Sequence, residues 1–300
     1  MAIDEDLVAL LPSGADAVID ADMAQLRDWP AARRIWTRLS PRVHARLGAL
    51  GFDPFDDADF IAIALRGAGT DSAELTVIAR GRLDPARLRA ALTDAEGPSE
   101  EVSYHGTRVV DGARSAVAML TERTAAFGSR VEVRRAIDVA LGNDEGLRRG
   151  DADRTVRAAF ERSPEAKSGR PAVVAALVPP PALHARLAEN HLPVELIDWL
   201  SVAIAVGDGI DIGVVAAAHS LSAADQLGVR LRLQLDELKS QATVRLLGLG
   251  QFVDVVQIGK KKSEVHLAFR LEQVGFDRLA ARLEKMLGRV ADAASARGDR

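Results

Sequence analysis

"ADFIAIALRGAGTDSAELTVIARGRLDPARLRAAL" (Ala58–Leu92) sets two alternating apolar runs on either side of a glycine-containing turn, then Asp84-Pro85 and a helical segment. A period of two puts successive side chains on opposite faces of a strand, so the runs predict an antiparallel hairpin. Asp84 suits the N-cap and Pro85 the first helical position, where its missing N–H costs nothing. The same order of strand, glycine turn, strand, small capping residue and helix recurs in "DWLSVAIAVGDGIDIGVVAAAHSLSAADQLGVRL" (Asp198–Leu231), with few identities. Hairpins outnumber the long crossovers that parallel strands require. The expected fold class is therefore α+β: a pseudo-repeat of two similar units, each a mainly antiparallel sheet with helices packed on one face.

Toward the N-terminus, Ala17–Ala21 alternates and is β-like, and "DMAQLRDW" shifts to helical spacing with Asp22 placed as its N-cap. Pro30 fits the first turn of a further helix carrying Ile35, Leu39, Val43, Leu47 and Leu50, which Pro41 should bend. Beyond Leu92, "VSYHGTRVV" and "SAVAMLTERTAAFGS" are expected to pair as a second hairpin, and "VEVRRAIDVALG" and "DADRTVRAAFERS" to form helices. The polar, turn-rich stretch from Ser163 divides the chain into an N-terminal unit (residues 1–162), a linker (163–170) and a C-terminal unit (171–300). In the second unit "PAVVAALVP" reads as a strand and "PPALHARLAENHLPVELIDW" as helix broken at Pro193. A hairpin, a long helix from Ser222 to Leu249, the β-rich "VDVVQIGKKKSEVHLAFRL" and a last helix, "GFDRLAARLEKMLGRV", follow.

The 300 residues are 48% hydrophobic, enough to bury a sizeable core. Thirty-nine basic and 43 acidic residues are scattered along the chain for a net charge of −4, so no electrostatic footprint for nucleic acid or anionic lipid is present. Without cysteine there are no disulfides, thiolate nucleophiles or zinc–thiolate sites. The longest apolar region, Leu200–Ala218, is interrupted by Gly207, Asp208, Gly209 and Asp211 and predicts two strands around a turn; no transmembrane segment is expected.

Leu11-Pro12, Asp16, Val18-Ile19, Asp22, Leu26-Arg27 and Trp29-Pro30 follow one another in an order that resembles a loosely defined group of uncharacterised bacterial cell-envelope proteins. Their mature chains begin with Leu-Pro, an apolar strand, an Asp and an apolar-x-x-Leu-Arg helix. Trp29 stands where the group has a small residue. "TAAFGSRVEVRRAID" and "VVQIGKKKSEVHLAFRL" are similar to the group as well. The resemblance covers about a third of the chain and implies a periplasmic or envelope-associated protein if a signal has been removed. The acidic start, "MAIDEDLVALL", is unlike a signal peptide and implies a cytoplasmic one if the chain is complete.

The conspicuous polar residues have structural readings. Asp20 and Asp22 share a strand face, roughly 7 Å apart along the strand; Asp22 serves a helix end and Asp20 the strand's open end. His184 and His191 stand seven apart, not the four of a helical zinc pair, with Glu189 and Glu195 as nearest acids and Pro193 between. His44, His105, His219 and His266 are isolated. "GDGIDIG" (Gly207–Gly213) has the glycine order of a turn rather than of a dinucleotide loop, and "RGAGTD" lacks the Lys-Ser/Thr of a phosphate loop. "GKKKSE" (Gly259–Glu264) is expected to be a solvated cationic turn. Trp29, Trp36 and Trp199 read as core anchors, and Leu227, Leu231, Leu235 and Leu238, with Val244, Leu246, Leu247 and Leu249, as a packing stripe that becomes a partner or homo-oligomer surface if exposed.

No catalytic, cofactor or metal residue is assigned. The expectation is a non-enzymatic binding or scaffolding protein of the cell envelope, contacting a protein or an apolar ligand. Two alternatives stand beside it: a carboxylate-based hydrolase drawing on Asp20 or Asp22 with Asp198, Asp208 or Asp211, and a cytoplasmic assembly component. A concave apolar pocket between sheet and helices favours ligand carriage; an exposed apolar patch favours protein association.

Overall fold

The structure, a computed structural model, describes residues 6–29, 32–33, 47–48, 51–164, 169–188, 193–241 and 253–275. The expected helix beyond Pro30, the last helix and the stretch from Thr243 to Leu249 lie outside the described residues, apart from short pieces of the first. All named strands belong to one twelve-stranded antiparallel sheet, ordered β11-β12-β10-β9-β8-β1-β2-β3-β7-β6-β5-β4. The strands are β1 (Ala17–Asp22), β2 (Ala58–Arg66), β3 (Glu74–Gly81), β4 (Glu100–Tyr104), β5 (Thr107–Asp111), β6 (Ala116–Met119), β7 (Thr124–Gly128), β8 (Val173–Leu177), β9 (Ile197–Val206), β10 (Gly209–Ala218), β11 (Gln257–Lys261) and β12 (Glu264–Glu272).

The antiparallel α+β class holds, and both quoted hairpins are present as β2–β3 and β9–β10. No sheet boundary separates the halves: β1 is shared, with Val18 opposite Ala64 of β2 on one side and Ala176 of β8 on the other. The stretch expected to pair as one hairpin forms two. β4 and β5 turn at His105-Gly106, and β6 and β7 form their own pair. His105 at φ +50° and Gly106 at φ +80° are the two left-handed residues of a two-residue turn, whose twist matches that of the strands it joins.

The described helices include α1 (Met23–Arg27), α2 (Pro54–Asp57), α3 (Pro85–Glu96), α4 (Arg130–Leu141), α5 (Arg154–Glu161), α6 (Pro181–Ala188) and α7 (Leu221–Ser240), with short 3-10 helices at Leu7–Leu10, Asp151–Asp153 and Val194–Leu196. Their starts are locally encoded. Asp22 accepts from the Gln25 amide at 3.0 Å, Asp84 from the Ala86 amide at 2.9 Å and Ser220 from the Ala223 amide at 3.0 Å, each satisfying a first-turn donor.

The expectation of helices on one face is replaced, in the N-terminal half, by cover on both. Val77, Ala79 and Phe127 pack with Leu88 and Leu92 of α3 on one face, while Ile78, Ala118 and Ala126 pack with Val133, Ala136 and Ile137 of α4 on the other. That is why Val77, Ile78 and Ala79 are consecutive and all buried. A polar strut fastens α4: Glu132, 3% exposed, takes the Thr76 hydroxyl at 2.9 Å and pairs with Arg66 and Arg135.

Candidate binding site

Asp22 acts where local chemistry places it, receiving both the Gln25 amide and the Gln25 side chain at 2.7 Å. Asp20 differs from the expectation of a water-facing strand end. It sits on the central strand between Ala62 and Val174, half-buried, and its carboxylate accepts no hydrogen bond among the described residues. Desolvation, reinforced by Asp6 and Asp22 and opposed by Arg170 and Arg148, raises its pKa.

The sheet keeps the expected carboxylates apart. β8 and β9 lie between Asp22 and Asp211, three strand spacings or about 14 Å. Asp198 and Asp208 are exposed at β9 and its turn. A hollow of about 520 Å³ gathers Asp211 with Asp254, Gln257, Arg270 and Glu272, and with none of the other four. Among the described residues no group of three or more His, Asp or Glu side chains could hold a metal ion.

His191, His44, Glu189 and Trp36 lie outside the described residues. A backbone hydrogen bond, joined by the ion pair with Arg230 of α7, holds the Glu195 carboxyl below the usual range. The Nε2 of His184 is buried without a hydrogen-bond partner among the described residues. His105 stands 3.6 Å from Asp138, which also accepts the Tyr104 hydroxyl at 2.9 Å; His266 is 3.2 Å from Glu264, and His219 is exposed. Trp29 and Trp199 are core residues, 7% and 6% exposed. "GDGIDIG" forms the β9–β10 turn and "GKKKSE" the β11–β12 turn, where Lys260 pairs with Asp225.

The site that sequence reading passed over lies at the other end of the sheet. There α3 stands off β4–β6 and leaves a hollow of about 510 Å³ lined by Pro85, Ala86, Leu88, Arg89, Glu101, Arg108, Val110, Val117 and Met119. Strand alternation assembles it. Glu101 faces Val110 and Val110 faces Val117, so these side chains share the α3 side of the sheet. Leu88 and Val117 are 1% and 4% exposed, which makes the floor apolar. At the rim Arg89 donates to one oxygen of Glu101 at 2.8 Å, and Arg108 Nε lies 3.1 Å from the other. Nothing in the primary order joins a helical arginine to residues of three strands; alternation within β5 and β6 is the only signal, and it needs their register to be read.

A second apolar feature lies on α7. Leu227 is buried against Ala216, Ala218 and Val265, whereas Leu221 and Leu233 are 63% exposed, Val229 53% and Leu238 39%. The expected stripe is thus core at Leu227, part-buried at Leu231 and Leu235, and open at Leu238. No helix of the described residues is long and apolar enough to cross a membrane.

No family model matches the chain, and no curated protein matches it. In overall shape it is similar to solved structures of TP0453. Crystal form I superposes with a TM-score of 0.52 at 11% identity, covering 95% of this chain and 99% of that one. Form III gives a TM-score of 0.53 at 10% identity over 93% of this chain and 97% of that one. At such identity the likeness is one of fold.

Proposed function

We propose that this chain is a non-catalytic binding protein of the bacterial cell envelope that holds a small, largely apolar ligand between α3 and the β4–β6 end of the sheet. The observation that carries this reading is the hollow itself: about 510 Å³, floored by Leu88, Val110, Val117 and Met119, within the ~300–1,000 Å³ range of small-molecule sites. The separation of Asp22 from Asp211 across the sheet supports a binding role over hydrolysis. The Leu11-Pro12 to Trp29 motif supports the envelope.

A neutral naphthylamine dye tests the site. Saturable fluorescence enhancement with one dye per chain, abolished by Met119→Trp, supports it; no saturable binding, or binding indifferent to Met119→Trp, overturns it. Fractionation of cells making the protein from its natural gene tests location, and recovery with cytoplasmic proteins overturns the envelope assignment. The exposed Leu233 and Val229 favour a second role, association with a protein or another copy through α7. Sedimentation that is concentration-dependent in the native chain and monomeric in Leu233→Glu supports that role.

A further inference from the structure

The rim of the α3 pocket carries chemistry that a purely apolar ligand would not use. Each guanidinium has about five N–H donors. Arg89 directs one of its donors to Glu101 and Arg108 is ion-paired with the other oxygen at 3.1 Å; neither side chain makes another hydrogen bond or ion pair among the described residues. Glu101 is the one acidic side chain among the lining residues, so the rim holds two positive charges against one negative. Arg108 is 80% exposed and Arg89 51%, leaving both free to turn toward an incoming anion. Planar guanidinium forks favour carboxylate geometry, and Glu101 already shows a carboxylate seated between the pair. The floor of the same hollow is hydrocarbon.

Resting on the binding role proposed above, we infer that the occupant is a single-chain amphiphile ending in one carboxylate, its chain on Leu88, Val110, Val117 and Met119 and its head on Arg89 and Arg108. The volume of about 510 Å³ lies in the lower half of the small-molecule range, which suits one chain. Glu101 orients the two guanidiniums and competes with the ligand for them.

Titration calorimetry of the full chain with octanoate, octanol and butyrate separates the terms. Octanoate is expected to bind about tenfold more tightly than octanol, because only octanoate carries a charge that forms an ion pair with the guanidiniums. Butyrate should bind far more weakly than octanoate. Arg108→Gln should weaken octanoate several-fold more than octanol, and the octanol binding that persists shows that the variant is folded; equal weakening of the two overturns the head-group assignment. Glu101→Gln should tighten octanoate alone. Equal affinity for octanoate and octanol in the native chain overturns the inference and leaves the binding role standing. Binding of neither overturns both. Methyl resonances locate the ligand: octanoate that leaves the Met119 and Val110 methyls unmoved while shifting others overturns the assignment of this pocket.

Discussion

Gly69, at the tip of the β2–β3 turn, lies so close to Leu183 of α6 that a Cβ built on it would stand 2.7 Å from the Leu183 nitrogen. Its φ of +85° is in the left-handed region as well, so a side chain there meets both backbone strain and a collision. Asp16 supports the turn by accepting the Ala68 amide at 2.8 Å. The contact fastens a hairpin of the N-terminal half to a helix of the C-terminal half. Gly69→Ala is expected to cost about 2–3 kcal/mol, read from urea unfolding. Gly207→Ala, where nothing lies within 4 Å of the added methyl, is the control and should fall within about 0.5 kcal/mol of the native protein.

The cap at Asp22 separates a structural role from a chemical one. Asp22→Ala should lower stability by about 1 kcal/mol, and Asp22→Asn by much less, because asparagine caps nearly as well as aspartate. Equal losses in the two variants by chemical denaturation would show that charge rather than cap geometry matters at this position.

Asp20 imposes a dependence on pH. Burial raises its pKa, so the folded protein holds the carboxyl proton more tightly than the unfolded chain does. Its stabilising contribution is complete below the usual aspartate range and is lost as pH rises through the raised value. Asp20→Asn resembles the protonated group and should raise Tm at neutral pH while changing it little at about pH 3. Melting curves of both proteins across that range check the claim; a variant destabilised equally at every pH contradicts it.

Glu132 is the buried acid on which α4 is fastened. Replacing it by alanine removes the acceptor of the Thr76 hydroxyl and one partner each of Arg66, which keeps Glu74, and Arg135, which keeps the Ser13 carbonyl, and about 1–3 kcal/mol should be lost. Gln at the same position keeps the Thr76 contact and should lose less. Amide exchange along α4 should quicken in step with the loss, since Val133, Ala136 and Ile137 form the packing that the strut holds in place.

Local signals were legible. Asp22, Asp84 and Ser220 could be placed as caps because an N-cap needs only its own side chain and the next three amides. The hairpins β2–β3 and β9–β10 could be placed because alternation and a glycine turn are both short-range. The β4–β5 turn was overlooked because a left-handed histidine stands where asparagine or glycine is usual; His105 and Gly106 make the turn all the same. Asp20 belongs to its strand as the alternation implies but is half-buried rather than open to water, since its burial comes from elements distant along the chain.

The amino-acid order alone was enough for the antiparallel α+β class, the helix starts and the core tryptophans at positions 29 and 199, because each depends on periodicity or on neighbours within a few residues. Folding in three dimensions was needed to close β1 against β8, merging the halves into one sheet, and to bring Arg89, Glu101, Arg108 and Val117 around one hollow. Those outcomes follow from strand register and from packing across the sheet, which couple residues widely separated along the chain and leave no mark on the local pattern of either partner.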